Sequence, residues 1–140
     1  MLTIQTLDLN DAQIMIKAGQ AKALELGVPI CIAVVDEGGH LIAFEKMDGA
    51  KLTSSVIAQD KAFTAAAMRR ETHLLNELAQ PGSPAHTINT EHAGRISCVG
   101  GGLPVKFNGA VVGGIGASSG TPGQDQEIVQ AGIDAWLAQQ

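Results

Sequence analysis

The chain has 140 residues, a net charge of −5, 45% hydrophobic and 16% charged residues, and 17 glycines. That length suits one domain, residues 1–140, around one core, and an acidic balance without any run of Lys or Arg excludes an electrostatic nucleic-acid binder. Aromatics make up only 3%, so Ala, Val, Ile and Leu must build the core, and a mean hydropathy of +0.15 predicts self-association through an apolar face.

The opening residues, MLTIQTLDLNDAQ, lack the basic-then-apolar pattern of a secretory leader, and no apolar run reaches the roughly 20 residues that cross a bilayer. A cytoplasmic protein without a membrane partner is expected. From Asn10, read as an N-cap, Ala12, Ile16, Gly19, Ala23 and Leu26 recur at helical spacing until Gly27 and Pro29 stop the helix. Two strand runs follow, Ile30 to Val35 and Leu41 to Glu45, joined as a hairpin by Asp36-Glu37-Gly38-Gly39-His40.

A second helix starts at Thr53 or Ser54 and runs to Arg70; its alanines at 58, 62 and 65 suit close packing on a sheet. Thr72 is read as the cap of a short third helix, HLLNELA, ended by Pro81-Gly82. Residues 83–94, SPAHTINTEHAG, show no clear period. Three strands are predicted next, Arg95 to Val99, Leu103 to Phe107 and Ala110 to Ala117, with Asn108-Gly109 as a hairpin turn. A last helix begins near Gln124. The order α-β-β-α-α-β-β-β-α, with hairpins instead of repeated βα units, predicts an α+β fold with a five-stranded antiparallel sheet flanked by helices.

Common chemical motifs fail. Gly114 and Gly116 begin a dinucleotide fingerprint, but Ser119 stands in the third glycine's place, and no Gly-Lys-Ser/Thr follows to make a phosphate loop. Asp125 and Glu127 occupy the first turn of the last helix and read first as capping residues, second as ligand contacts. Cys31 and Cys98 are isolated and read as buried free thiols, not a disulfide or metal site. Of the histidines, His40 and His73 read as solvated, while His86 and His92 lie in the aperiodic segment, where an imidazole can reach an iron axially. Asp36, Asp60, Lys61 and Asp125 converge if the helices cover one sheet face; they then form either an acid–base site or an ion pair tying the second helix to a strand end. Phe44 and Met47 line an apolar pocket or belong to the core.

Four collinear segments carry a family resemblance: AVVDEGGHLIAFEKMDGA (33–50), DKAFTAA (60–66), GGGLPVKFNGAVVGGIGASSGT (100–121) and QDQEIVQAG (124–132). Together they resemble the GlcG/HbpS-like family, the haem-degrading-protein domain that also forms the C-terminal part of PduO-type adenosyltransferases. The resemblance implies a five-stranded antiparallel sheet with flanking helices, dimers or larger homo-oligomers, and, in some members, binding of haem or corrinoid-related tetrapyrroles. It implies no shared catalytic set. The chain departs from the family pattern at Glu91-His92-Ala93-Gly94-Arg95, where Asn-Gly-Gly-Arg is usual, and its first helix lacks the histidine some haem-binding relatives use as a ligand.

The expected function is that of a cytoplasmic, homo-oligomeric small-ligand-binding protein, with haem or a corrinoid as cofactor and His92 or His86 as axial ligand. Its expected binding residues are Asp36, Phe44, Met47, Lys61, Gly101, Gly102, Pro104, Gln124 and Asp125, gathered between the 101–104 turn, the exit of the second strand and the start of the last helix. The alternatives are an enzyme or accessory protein for a small hydroxy acid, diol metabolite or other anion, using Lys61 and that helix start, and a structural assembly module without ligand.

Overall fold

The computed structural model describes all 140 residues. In chain order the elements are α1 (Leu9–Leu26), β1 (Cys31–Asp36), β2 (Leu41–Lys46), α2 (Ser54–Met68), α3 (Leu75–Leu78), α4 (Glu91–Gly94), β3 (Gly102–Phe107), β4 (Ala110–Ser118) and α5 (Pro122–Leu137). Single 3-10 turns at Thr72–Leu74 and Ile88–Thr90 precede α3 and α4. The strands form one antiparallel sheet in the order β2-β1-β4-β3.

The sheet therefore has four strands, which corrects the expected five, and the order becomes α-β-β-α-α-α-β-β-α. The missing strand is Arg95 to Val99. Its alternation is real, since Ile96 and Cys98 are buried, but they pack with Phe63 of α2 and Leu75 of α3 instead of completing a sheet face. Side chains also intercept its backbone: Ser97 N donates to Thr64 Oγ1 at 2.9 Å, and Asn76 Nδ2 donates to the Cys98 carbonyl at 3.3 Å. A period of two reports that one face is buried; it does not say whether a sheet or a helix buries it.

Helices cover both faces of the sheet. On one side α1 and α5 pack over Ile32, Val34, Leu103, Val105 and Ile115; on the other, α2 lies over Cys31, Ala33 and Val35 through Ala58, Ala62 and Ala66. Burial on both faces explains the continuous apolar run of β1. Close approach of α2 requires bare strand: Gly116 pairs with Ala33 and Gly102, and a Cβ at Gly116 would collide with the Ala58 carbonyl oxygen. Alanines facing glycines thus set the spacing of this layer.

The helix ends also differ in detail from the sequence reading. The N-cap of α1 is Asp8, not Asn10, in a reciprocal capping box with Asp11. Thr72 caps no helix; its buried Oγ1 accepts from Gly102 N at 2.9 Å and so fixes the start of β3. At α5 the cap is Thr121 with Gln124 in a second capping box, so neither Asp125 nor Glu127 is the capping residue. No helix is long and apolar enough to cross a membrane.

Candidate functional site

Helix α2 carries charges at two adjacent positions, Asp60 and Lys61, and the helix turns them to different surroundings. Lys61 points into the junction of β4 and α5. Its Nζ donates to Asp125 Oδ2 and to the Ala117 carbonyl, both at 3.0 Å, and both side chains of the pair are almost fully buried. Asp125 Oδ1 accepts from Gly120 N at 2.9 Å. Burial pushes the Asp125 carboxyl above its ordinary pKa, while the Lys61 ammonium and the Gly120 hydrogen bond pull it down.

Gly101 closes this corner. Its φ is +121°, and a Cβ there would lie 2.7 Å from Asp125 Cβ and 2.9 Å from Lys61 Nζ. Gly102 abuts the Lys61 backbone. The structure thus brings Lys61, Asp125, Gly101 and Gly102 together, as an ion pair sealed from solvent.

The other expected binding residues lie apart from it. Gln124 is occupied by the α5 capping box, and Pro104 is buried in β3 opposite Gly114. Asp36 closes the β1–β2 turn by accepting from Gly38 N and His40 N, both at 2.9 Å. Phe44 packs on the alanine side of the sheet, whereas Met47 packs with the α1/α5 cluster and lines a 260 Å³ cleft with Leu24, Pro29 and Asp48. Phe44 and Met47 consequently face opposite layers. No histidine lines this cleft or four further surface clefts of about 150–440 Å³.

Asp60 turns outward, and a second polar corner forms there. Its Oδ1 accepts from Arg95 Nε at 3.2 Å, and the Arg95 guanidinium carbon sits 3.9 Å above the Phe63 ring centre. His92 meets the same ring edge-on, with centroids 5.5 Å apart. The Arg95 backbone is anchored as well, with its carbonyl 3.0 Å from Thr64 Oγ1 and its N–H donating to the His92 carbonyl. His92, Ala93 and Gly94 all have left-handed φ, at 50°, 57° and 82°. Two of these are not glycine, so the segment holds its shape at a cost in backbone energy.

His92 is solvent-exposed, as is His86 in the preceding loop. His73 lies elsewhere: Nε2 is 3.2 Å from Glu71, and Nδ1 is buried without a partner. Sequence reasoning missed Phe63 and Arg95 as site residues. A usable signal was present, because only 3% of the chain is aromatic and Phe63 follows the two charged positions of an otherwise alanine-rich helix.

An exposed imidazole and a held guanidinium, backed by the buried Phe63 ring, suit a ligand with an anionic edge and a metal centre. Nitrogen donors of histidine ligate haem iron, and arginine recognises carboxylates. The exposed imidazole and guanidinium are of the kind that meets haem iron and carboxylates, with Phe63 buried beneath them, while the sealed Lys61 corner has no room for such a ligand.

A family model described as haem degrading protein HbpS-like matches residues 7–134. An uncharacterized 15.0 kDa protein of the dhaT-dhaS intergenic region of Citrobacter freundii is 40% identical over 133 residues, which are 95% of this chain and 94% of that protein. The corrinoid adenosyltransferase PduO of Salmonella typhimurium is 34% identical over 129 residues; these are 92% of this chain but only 38% of PduO. Among solved structures, a PduOC:heme complex superposes with a TM-score of 0.89 at 34% identity, covering 93% of this chain and 94% of that one.

Proposed function

The chain belongs to the HbpS-like haem-degrading-protein family, and from that premise we propose that it is a homo-oligomeric binding protein for haem or a related tetrapyrrole. The ligand is taken where the exposed His92 and Arg95 lie over the buried Phe63 ring. One observation carries this reading: His92 and Arg95 both contact the buried Phe63 ring, so an iron ligand and a hydrogen-bond donor to anions stand side by side at the surface. The likeness to a PduOC:heme complex supports the ligand class.

A bound haem supplies redox chemistry at its iron. This chain's contribution is to offer an imidazole nitrogen from His92 and a fixed positive charge from Arg95, both backed by the Phe63 ring. His86, in the aperiodic segment before α4, is the second candidate for the axial position. Two free, buried cysteines, whose thiols burial pushes up in pKa, support a reducing and therefore cytoplasmic setting. The exposed side chains of Leu41, Leu52 and Val56 support burial against further copies of the chain. Light scattering that returns a monomer mass would count against that part.

Haemin titration followed at the Soret band tests the binding reading. Saturable binding that His92→Ala weakens at least about tenfold, a change of roughly 1.4 kcal/mol, and that His86→Ala leaves intact is expected. Absence of saturable binding by the wild-type protein contradicts it.

A further inference from the structure

We propose, resting on the homo-oligomer reading above, that the free edge of β2 is a contact between copies of this chain. It pairs antiparallel with β2 of a second copy across a twofold axis at Phe44, joining two four-stranded sheets into one. The two edges of the sheet are finished differently. At β3, Gly102 donates its N–H to Thr72 Oγ1 at 2.9 Å and accepts that hydroxyl at its carbonyl at 3.4 Å, and the buried Pro104 has no N–H to offer. At β2 no such cover exists. Met47 N donates to the Ile30 carbonyl at 2.9 Å, and antiparallel bonding alternates, so Glu45 and Ala43 bond β1 while the main chain of Phe44 and Lys46 points away from it. No loop backbone reaches those outward groups, and Leu41 on the same strand is 52% exposed. An open edge of this kind is a template for another strand.

Charge and the β-bulge select a second copy as the occupant and Phe44 as the centre. When a strand pairs antiparallel with its own copy, one residue meets itself on the axis, and the regular stretch 43–46 offers four candidates. A centre at Glu45 or Lys46 sets like charges directly opposite each other, which destabilises a cross-strand pair. A centre at Ala43 sets the outward backbone of Phe44 against Ile42, the extra residue of the bulge. A centre at Phe44 meets that bulge only at the end of the ladder. There Phe44 exchanges both backbone bonds with its own copy, the two rings form an aromatic cross-strand pair, and Glu45 and Lys46 stand opposite the uncharged Ala43 and Ile42. The Glu45 carboxylate is meanwhile held on its own α1 side, where Gln20 Nε2 donates to it at 2.6 Å.

The test uses the full chain. Residue-resolved hydrogen exchange of the wild type should show the Phe44 and Lys46 amides protected alongside those of Ala43 and Glu45. Lys46→Pro removes an outward donor that a single copy does not use, so its circular dichroism should match the wild type while light scattering returns roughly half the wild-type mass or less. Under a mild oxidant Phe44→Cys should form a covalent dimer, because the Cα atoms of a hydrogen-bonded pair lie about 5.5 Å apart, within the roughly 4.4–6.8 Å that a disulfide spans. Lys46→Cys, opposite Ile42, should not. Exchange and cross-linking decide the matter even if Lys46→Pro fails to fold. A wild-type oligomer whose Phe44 and Lys46 amides exchange freely, or cross-linking of Lys46→Cys as readily as Phe44→Cys, overturns the inference while leaving self-association through another surface standing. A monomeric wild type removes both.

Discussion

Two ion pairs begin at neighbouring residues of α2 and end as opposites. Lys61 pairs with Asp125 in a corner closed by Gly101, and both partners are nearly inaccessible; Asp60 pairs with Arg95 at the surface, with 21% and 45% of the two side chains exposed. The buried pair joins three elements, α2, β4 and α5, and has no capacity left for a ligand. The outer pair joins α2 to the segment before β3 and leaves nearly half of the Arg95 side chain in solvent. The contrast separates a charge that holds the fold from a charge that can meet a partner, although a single helical step lies between them.

The contrast breaks most visibly at the buried pair. Asp125→Ala strands the Lys61 ammonium inside the protein and should cost about 3–5 kcal/mol in chemical denaturation. Arg95→Ala should cost no more than about 1 kcal/mol, because its pair is partly exposed. Similar losses for the two would remove the distinction.

The next effect concerns the glycine strip that lets α2 seat Lys61. Gly116→Ala pushes a methyl into the Ala58 carbonyl, and overpacking of this kind costs about 1–3 kcal/mol. A lower thermal midpoint is the expected reading.

A smaller effect is a pH dependence that belongs to the buried corner alone. Burial raises the folded pKa of Asp125 above an unfolded value of about 3.9. The folded state binds this proton more tightly, so the group's contribution to stability is fully present below the unfolded pKa and is lost as pH rises through the folded one. The double variant Lys61→Met/Asp125→Leu should lose that slope between the two pKa values, and Arg95→Ala should retain it.

The smallest effect sharpens the outer corner. Ala93 has φ 57°, a conformation that costs an L-residue roughly 1–2 kcal/mol, so Ala93→Gly should stabilise the protein by at most about 1 kcal/mol once the freer unfolded chain is counted. A destabilised Ala93→Gly protein would show that the left-handed turn is held by side-chain packing.

Much of the fold was readable in the residues. Asn108 and Gly109 do adopt positive φ, 49° and 80°, in the β3–β4 turn, because few residues tolerate that geometry. The alanines of α2 announced close packing for the same kind of local reason. Arg95 to Val99 misled, since alternation encodes burial without naming the partner that buries. The α1 cap was misplaced by two positions because Asp8, Asn10 and Asp11 all offer capping oxygens within one turn, and tertiary direction chooses among them.

The candidate site was less legible. Lys61 and Asp125 stand out as charged residues in the sequence, yet nothing in a separation of 64 residues says that they pair and close. Arg95 and Phe63 carry no signal of their contact, because a guanidinium lies over that ring only once the chain returns across α2. Titratable groups can be read from a sequence, but access to them is a property of packing.

The most direct measurement places the two corners side by side: the haemin affinity of Lys61→Met/Asp125→Leu against that of His92→Ala, each relative to wild type. Binding at the outer corner predicts wild-type affinity for the double variant and a loss of at least about tenfold for His92→Ala. Lost affinity in the double variant with unchanged binding by His92→Ala would contradict it and place the ligand at the Lys61 corner.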